Sequence, residues 1–171
     1  MTGITDLVTQ LSNEQGVARA NRVEVWCPAR ITDWELMDTT VTTINLPERN
    51  IMTGEYFHHE QQKSFVYGYT NNDITLTIRG TNSWKIYESF YNWMETVLNS
   101  NDYTLGYKSG GYGADFWIAP MDATGKRTCH FKLINAYPKS LGQITMGNDN
   151  DQIVTFTVTI LYDRFEFENV N

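Results

Sequence analysis

Three places in this 171-residue chain hold residue types able to do chemistry. Glu55, His58, His59 and Glu60 set imidazoles beside carboxylates, a mixture that can ligate zinc. The surrounding run is extended, so adjacent histidines point to opposite faces and do not converge on one ion; the segment reads instead as the surface of a hairpin. Gly147-Asn148-Asp149-Asn150-Asp151 has the composition of a calcium loop but lacks a bidentate glutamate at the EF-hand spacing, and reads as a tight turn of residues that tolerate left-handed backbone. Gly110-Gly111-Tyr112-Gly113 is followed by neither Lys-Ser nor Lys-Thr and does not lie between a strand and a helix, so it is a loop, not a phosphate cradle. His130 could join a serine and an acid only by combining distant residues, and no nucleophile elbow is present. Trp84, Trp93 and Trp117 could line a sugar-binding face, with packing in a core or subunit contact as the preferred reading. The chain therefore reads as non-enzymatic, without cofactor or metal.

Composition narrows the partners. Thirteen basic against 20 acidic residues leave a net charge of −7, which disfavours both a basic stripe for specific nucleic-acid binding and attraction to an anionic membrane. No run approaches the roughly 18 apolar residues of a membrane span, and Met1–Asp6 shows neither the basic nor the apolar part of an export signal. Cys27 and Cys129 are expected to be two small buried thiols rather than a disulfide. Ten tyrosines and five tryptophans suit large contact surfaces.

The elements are mostly strands. An arm over 1–21 has apolar residues at helical spacing. Extended runs are predicted at Arg22–Trp26, Thr39–Leu46, Ile51–His58 and Lys63–Tyr69. Asp73–Arg79 alternates Ile74, Leu76 and Ile78 against Thr75, Thr77 and Arg79. The period then changes. Tyr87, Phe90, Tyr91, Met94, Val97 and Leu98 mark one amphipathic helix within 82–98, capped by Asn82 or Ser83. Ala114–Pro120 and Arg127–Ala136 form a hairpin around a glycine expected at positive φ. A corner follows at Pro138–Gly142, then a short strand, the Asn/Asp turn and one long closing strand in which Val154, Phe156, Val158 and Ile160 alternate with Thr155, Thr157 and Thr159. Many strands with one apolar face, one helix and hairpin connections predict a mainly β fold of two antiparallel sheets packed as a sandwich or barrel.

In this order the elements resemble the tail tube protein of contractile-tailed bacteriophages, over essentially the whole chain. The resemblance is carried by Ala18-Arg19-Ala20-Asn21-Arg22-Val23-Glu24-Val25, by Thr43-Ile44-Asn45-Leu46-Pro47, and by the helix Ile86–Val97 with Phe90-Tyr91-Asn92-Trp93. Most specific is the colinear block Ile134-Asn135-Ala136-Tyr137-Pro138, Leu141-Gly142, Asn148–Gln152 and Thr155-Phe156-Thr157-Val158-Thr159. Thr32–Met37 and the loop Tyr103–Tyr112 depart from the family pattern. The resemblance implies one domain over 1–171, with orthogonal sheets, a flanking helix and a long hairpin. It implies homohexameric rings stacked into a tube inside a contractile sheath in the virion tail, assembled in the host bacterial cytoplasm. The implied partners are further copies of the chain, the tail sheath protein, a baseplate tube initiator, the tape measure and tail terminator proteins, and viral DNA passing without specific binding; no membrane insertion is implied. A tube subunit of a type VI secretion system or contractile bacteriocin is the neighbouring reading, and a carbohydrate-binding β-sandwich module the alternative from another class.

Closing a large barrel from six open sheets encloses water, so its lining must be polar. Candidate lumen residues are Thr40, Thr42, Glu55, Glu60, Asp73, Thr75, Thr77, Thr155, Thr157 and Thr159, with the acids expected to repel phosphates over about a Debye length. Candidate subunit contacts are Ile74, Leu76, Tyr87, Phe90, Tyr91, Tyr137 and Pro138, with Asp73–Arg79 as the edge at a subunit joint.

Overall fold

The computed structural model describes residues 22–58, 61–101, 104–106, 111–147 and 152–170. The arm over 1–21 and the Asn148–Asp151 turn lie outside them. Eleven elements follow in chain order: β1 (Val23–Trp26), α1 (Trp34–Thr40), β2 (Val41–Ile44), β3 (Arg49–His58), β4 (Gln61–Asn71), β5 (Ile74–Arg79), α2 (Lys85–Val97), β6 (Ala114–Pro120), β7 (Cys129–Leu141), β8 (Thr155–Leu161) and β9 (Arg164–Asn169).

Six strands hydrogen-bond in the order β1-β6-β7-β8-β5-β2, and β9 joins at β7. All pairings are antiparallel. The long strand β7 divides this path into two layers. Its first part, Cys129–Ala136, pairs with β6 and β9, and its last part, Tyr137–Leu141, pairs with β8. Near the end of the first part Asn135 adopts a left-handed φ of 53° and donates through Nδ2 to Asp163 Oδ2 at 2.9 Å. Asparagine tolerates that backbone because its short amide can hydrogen-bond locally. The corner therefore lies at Asn135, before the expected Pro138–Gly142. Pro138 continues the strand opposite Ile160, where β7 has β8 alone as partner and a missing N–H is tolerated.

The two layers face each other across one core. Val25, Phe116, Ile118 and Leu133 come from the first layer, and Ile74, Leu76, Ile78, Phe156, Val158 and Ile160 from the second; all are buried. The strict alternation of β5 and β8 puts every second residue there. The result is a mainly β sandwich of antiparallel sheets, as the alternation predicts. It does not close into a barrel, since among the described residues β1 and β2 stand at opposite ends of the strand path, each paired on one side only.

Two helices flank the sandwich, one more than predicted. The unpredicted α1 buries Met37 and ends where Thr39 and Thr40 donate their hydroxyls back to the Leu36 carbonyl, at 2.9 and 2.8 Å. In α2 the buried side chains are Ile86, Phe90 and Trp93, spaced four and three apart along one face. Trp93 donates its indole N–H to the Tyr112 carbonyl at 2.7 Å. The expected caps do not form: Trp84, at φ 53°, occupies the N-cap position without a side-chain bond. The closing segment also differs from expectation. It turns at Asp163 and returns as β9 against the first layer, giving two strands where one was predicted.

The third structural part is the hairpin of β3 and β4, paired from Arg49–Asn71 to His58–Gln61 and outside the seven-stranded network. Its base is tied down. The Arg49 guanidinium lies 5.0 Å from the Tyr69 ring centre and 4.8 Å from that of Phe165, and donates to the Phe165 carbonyl at 3.3 Å. Asn71 Nδ2 donates to the Asp163 carbonyl at 3.1 Å.

Candidate functional site: an assembly surface

Registration across β5 and β8 builds one chemically uniform face. Thr75 stands opposite Thr159, Thr77 opposite Thr157, and Arg79 opposite Thr155. Directly opposed residues share a face, and the intervening apolar residues fill the core, so these hydroxyls point away from it. Thr43 extends the face from β2, opposite Thr77, and Ser140 extends it from β7, opposite Thr159. Thr42 falls at the β2 bulge, exposed, with its hydroxyl donating to the Thr77 carbonyl at 3.0 Å. Gly142 crosses close over this wall: its N–H donates to the Thr157 carbonyl at 2.7 Å, and a Cβ there would meet Thr157 Oγ1 at 2.1 Å.

The other candidate lumen residues are placed differently. Thr40 is buried, 9% exposed, at the end of α1, so it belongs to no strand face. Asp73, just before β5, is ion-paired with Lys139 at 2.8 Å. Glu55 lies on β3, away from the threonine wall, where its carboxylate accepts from Gln62 Nε2. Glu60 and His59 lie outside the described residues.

The candidate subunit contacts separate into two groups. Ile74, Leu76 and Phe90 are fully inside the protomer, 0–1% exposed, and are core rather than contact residues. Strand β5 is likewise no edge, because β2 and β8 pair with it on both sides. Tyr87, Tyr91, Tyr137 and Pro138 do come together, lining an open groove between α2 and β7 with Met94 and Leu98. Tyr87 packs edge-on against Phe156 at 5.4 Å and Tyr137 against Tyr112 at 5.1 Å, Pro138 is buried, and Tyr91 is half exposed. The helix stripe is thus split: the periodicity included the groove side, whereas the core side is Ile86, Phe90 and Trp93.

Among the described residues a broad apolar surface is uncovered on the two hairpin strands, which the sequence marks only as extended runs. Ile51, Tyr56, Phe57, Phe65, Val66, Tyr67 and Tyr69 are 47–76% exposed. A signal was available, since apolar residues occupy consecutive positions at Phe65-Val66-Tyr67, so neither face of the ribbon is polar.

The outer face of the first layer is by contrast internally satisfied. Trp26 and Trp117 stack at 5.7 Å and 5°, with His130 edge-on to both. Arg127 covers Trp26 at 4.4 Å and Lys132 lies 5.1 Å from the Trp117 ring centre. Each cation also has a carboxylate: Arg127 is bidentate to Glu24 at 2.6 and 2.8 Å, and Lys132 pairs with Asp115 at 2.8 Å. The Arg127 hydrogen bond holds the Glu24 carboxyl below its ordinary pKa. Asp38, accepting from the Val25 N–H at 2.8 Å, is pushed up by burial. Burial drives the Cys27 thiol up to about 12; Cys27 and Cys129 are both free.

Trp84, Trp93 and Trp117 do not form a sugar platform: Trp93 is buried, Trp84 precedes α2, and Trp117 stacks on Trp26. Among the described residues no group of three or more His, Cys, Asp or Glu side chains could hold a metal ion, and no helix is long and apolar enough to cross a membrane.

These features define a class: an unclosed β-sandwich with a rooted apolar arm and a hydroxyl-covered sheet face. Residues 8–168 match the family model described as phage tail tube protein, and the chain belongs to that family. No curated protein matches the sequence. Among solved structures, the fold is similar to a chain of the anti-feeding prophage cap, its tube-terminating cap, with a TM-score of 0.65 and 17% identity over 90% of this chain and 92% of that one. It is also similar to a chain of the sheath–tube complex of an extracellular contractile injection system in the extended state, with a TM-score of 0.61 and 16% identity over 95% and 97%. A chain of that system's sheath/tube terminator gives 0.63 and 14% over 89% and 96%. At such identities the likeness is one of fold. The family is one of structural components of the virion tail.

Proposed function

We propose that this chain is the subunit of an inner tail tube, forming homohexameric rings that stack within a contractile sheath and conduct viral DNA into the host. The observation that carries the reading is the uncovered hairpin. An isolated two-stranded ribbon is marginal in water, and one with seven large apolar side chains about half or more exposed needs a partner surface. A second copy supplies it, with the α2/β7 groove as a second apolar contact. The edge of β2, unpaired among the described residues, supports closure into a ring, since pairing it removes the hazard of an open edge. The threonine wall then lines the channel, where hydroxyls hold water without binding phosphate strongly. Similarity in fold to chains of a sheath–tube complex and a tube terminator supports a contractile sheath and a terminator as partners, and a baseplate partner follows from the tube reading itself. The family match favours a genome as cargo, as opposed to the cargo of a secretion system or bacteriocin; assembly takes place in the host cytoplasm.

Negative-stain electron microscopy of the purified chain, with sedimentation velocity across a concentration series, tests this. Six-fold rings or tubes with a central hole are expected. A monodisperse monomer at every concentration refutes the proposal.

A further inference from the structure

The groove between α2 and β7 is open and has a volume of about 530 Å³. On its helix side Tyr87, Tyr91, Met94 and Leu98 stand four, three and four residues apart, the spacing of a seam that receives another helix. Tyr137 and Leu141 form the strand side. Tyr91 and Leu98 are 49% and 45% exposed. One stretch of this chain has the matching pattern. Ile4, Leu7, Val8 and Leu11 are the i, i+3, i+4 and i+7 anchors with which an amphipathic helix fills an apolar groove. Thr5, Asp6, Thr9 and Gln10 between them are polar. A helix that short is marginal alone and depends on an apolar partner.

We infer that Ile4–Leu11 seats as a helix in the α2/β7 groove of its own chain in the free protomer, and leaves it when a neighbouring copy takes the groove. Reach favours the chain's own groove. The Arg22 carbonyl accepts from the Met121 N–H at 3.0 Å and Val23 lies opposite Pro120, so the chain before β1 departs at the Pro120 end of β6. The groove lies at the other end, where Ala114 pairs with Ala136 beside Tyr137, and the Tyr112 ring meets Tyr137 at 5.1 Å. The seven residues of β6 separate the two ends, a rise of about 20 Å. Ten residues, 12–21, join Leu11 to Arg22. A flexible coil of ten spans roughly 16–19 Å on average and at most about 35 Å. A linker whose mean length matches the gap gives the highest effective concentration, so a tethered segment outcompetes one from another copy in dilute solution. Covering the groove withholds an apolar contact until a neighbouring copy competes for it. The docking concerns the free protomer alone; its effect on assembly rests on the tube reading above.

Disulfide trapping in the full chain tests the docking. The background is Cys129→Ser; Cys27 stays, because burial pushes its thiol up to about 12 and leaves it inert. Leu7→Cys is combined with Met94→Cys in the groove, or with Thr75→Cys on the threonine wall. Each pair is oxidised at a dilution where the chain sediments as a monomer. An intramolecular crosslink is expected for the Met94 pair, about tenfold or more above the Thr75 pair. Equal yields, no crosslink, or disulfide-linked dimers alone refute the docking. The withholding is read from the concentration at which tubes first pellet. If the segment fills about nine-tenths of the grooves, about one protomer in ten is competent, and Leu7→Asp/Leu11→Asp should lower that concentration about tenfold. Leu7→Met/Leu11→Met should leave it unchanged. An unchanged or higher threshold in the aspartate variant refutes the withholding with the tube reading intact. If wild type and both variants all stay monomeric, the tube reading fails, and the crosslink alone decides the docking.

Discussion

Substitution of Asn135 separates the backbone of the β7 corner from the side chain that decorates it. Two terms are at stake: the left-handed φ of 53° and the 2.9 Å bond to Asp163. Alanine in that conformation costs about 1–2 kcal/mol, and loss of a solvent-exposed hydrogen bond adds about 0.5 kcal/mol, so Asn135→Ala should destabilise by about 1.5–2.5 kcal/mol. Glycine adopts the conformation freely. It also loses the bond and widens the unfolded ensemble, at about 0.4–1 kcal/mol, but relieves whatever strain asparagine bears. Asn135→Gly should therefore cost about 1 kcal/mol or less. For a chain of this length 1 kcal/mol corresponds to roughly 2–4 °C in Tm, placing Asn135→Ala about 3–10 °C below wild type and Asn135→Gly within about 4 °C. Urea unfolding followed by circular dichroism, supported by thermal melts, gives both numbers. Equal destabilisation by alanine and glycine would falsify the claim that the corner is a backbone requirement.

On the hairpin, Phe57→Ser and Tyr67→Ser remove side chains 76% and 60% exposed, so protomer stability should move by no more than about 0.5 kcal/mol. Each buried aromatic is worth about 1.5–3 kcal/mol in a contact, so pelletable assembly should fall tenfold or more; unchanged yield places the hairpin outside the assembly. At Gly142, alanine brings a Cβ against Thr157 and should cost about 1–2 kcal/mol, with partial recovery in Gly142→Ala/Thr157→Ala; strict additivity of the two would show that they do not touch. The acid limb tests Glu24. Its folded pKa is lowered by Arg127, so its stabilisation is in place above the ordinary glutamate value and is lost as pH falls through the lowered one. Glu24→Gln should flatten the loss of Tm on acidification. Asp38 has the opposite sign: with its folded pKa raised by burial, its ionised form is disfavoured at neutral pH. Asp38→Asn, keeping an oxygen for the Val25 N–H, should be at least as stable as wild type at neutral pH and lose that margin below about pH 4. A fall in its neutral-pH Tm refutes the assignment.

Elements with clean period-two alternation were legible in the chain. β5, β6 and β8 appear close to where they were read, and their registers bring Thr75, Thr77, Thr157 and Thr159 onto one face as expected. What failed had competing physics. Trp34–Thr40 ends in two threonines, poor helix formers in general, which here bond back to Leu36 and complete a turn. α2 is apolar around much of its circumference, so spacing alone could not choose between its Tyr91 side and its Ile86-Phe90-Trp93 side. β9 alternates around charged residues on an exposed edge, which hides a strand. Pro138 looked like a breaker, but a strand bonded to β8 alone accommodates proline. Ile74 and Leu76 were read as contact residues because alternation shows that one face is buried without showing whether its own protomer or a neighbour buries it.

The continuity of β7 through both layers has a mechanical consequence. Layers joined only by side chains can shear past one another at the cost of repacking. Here any pull on the second layer reaches the first through peptide bonds, and the antiparallel ladders on either side of Asn135 are loaded together. The protomer should therefore resist sudden axial thrust as a single stiff block, with its compliance concentrated at that one left-handed residue.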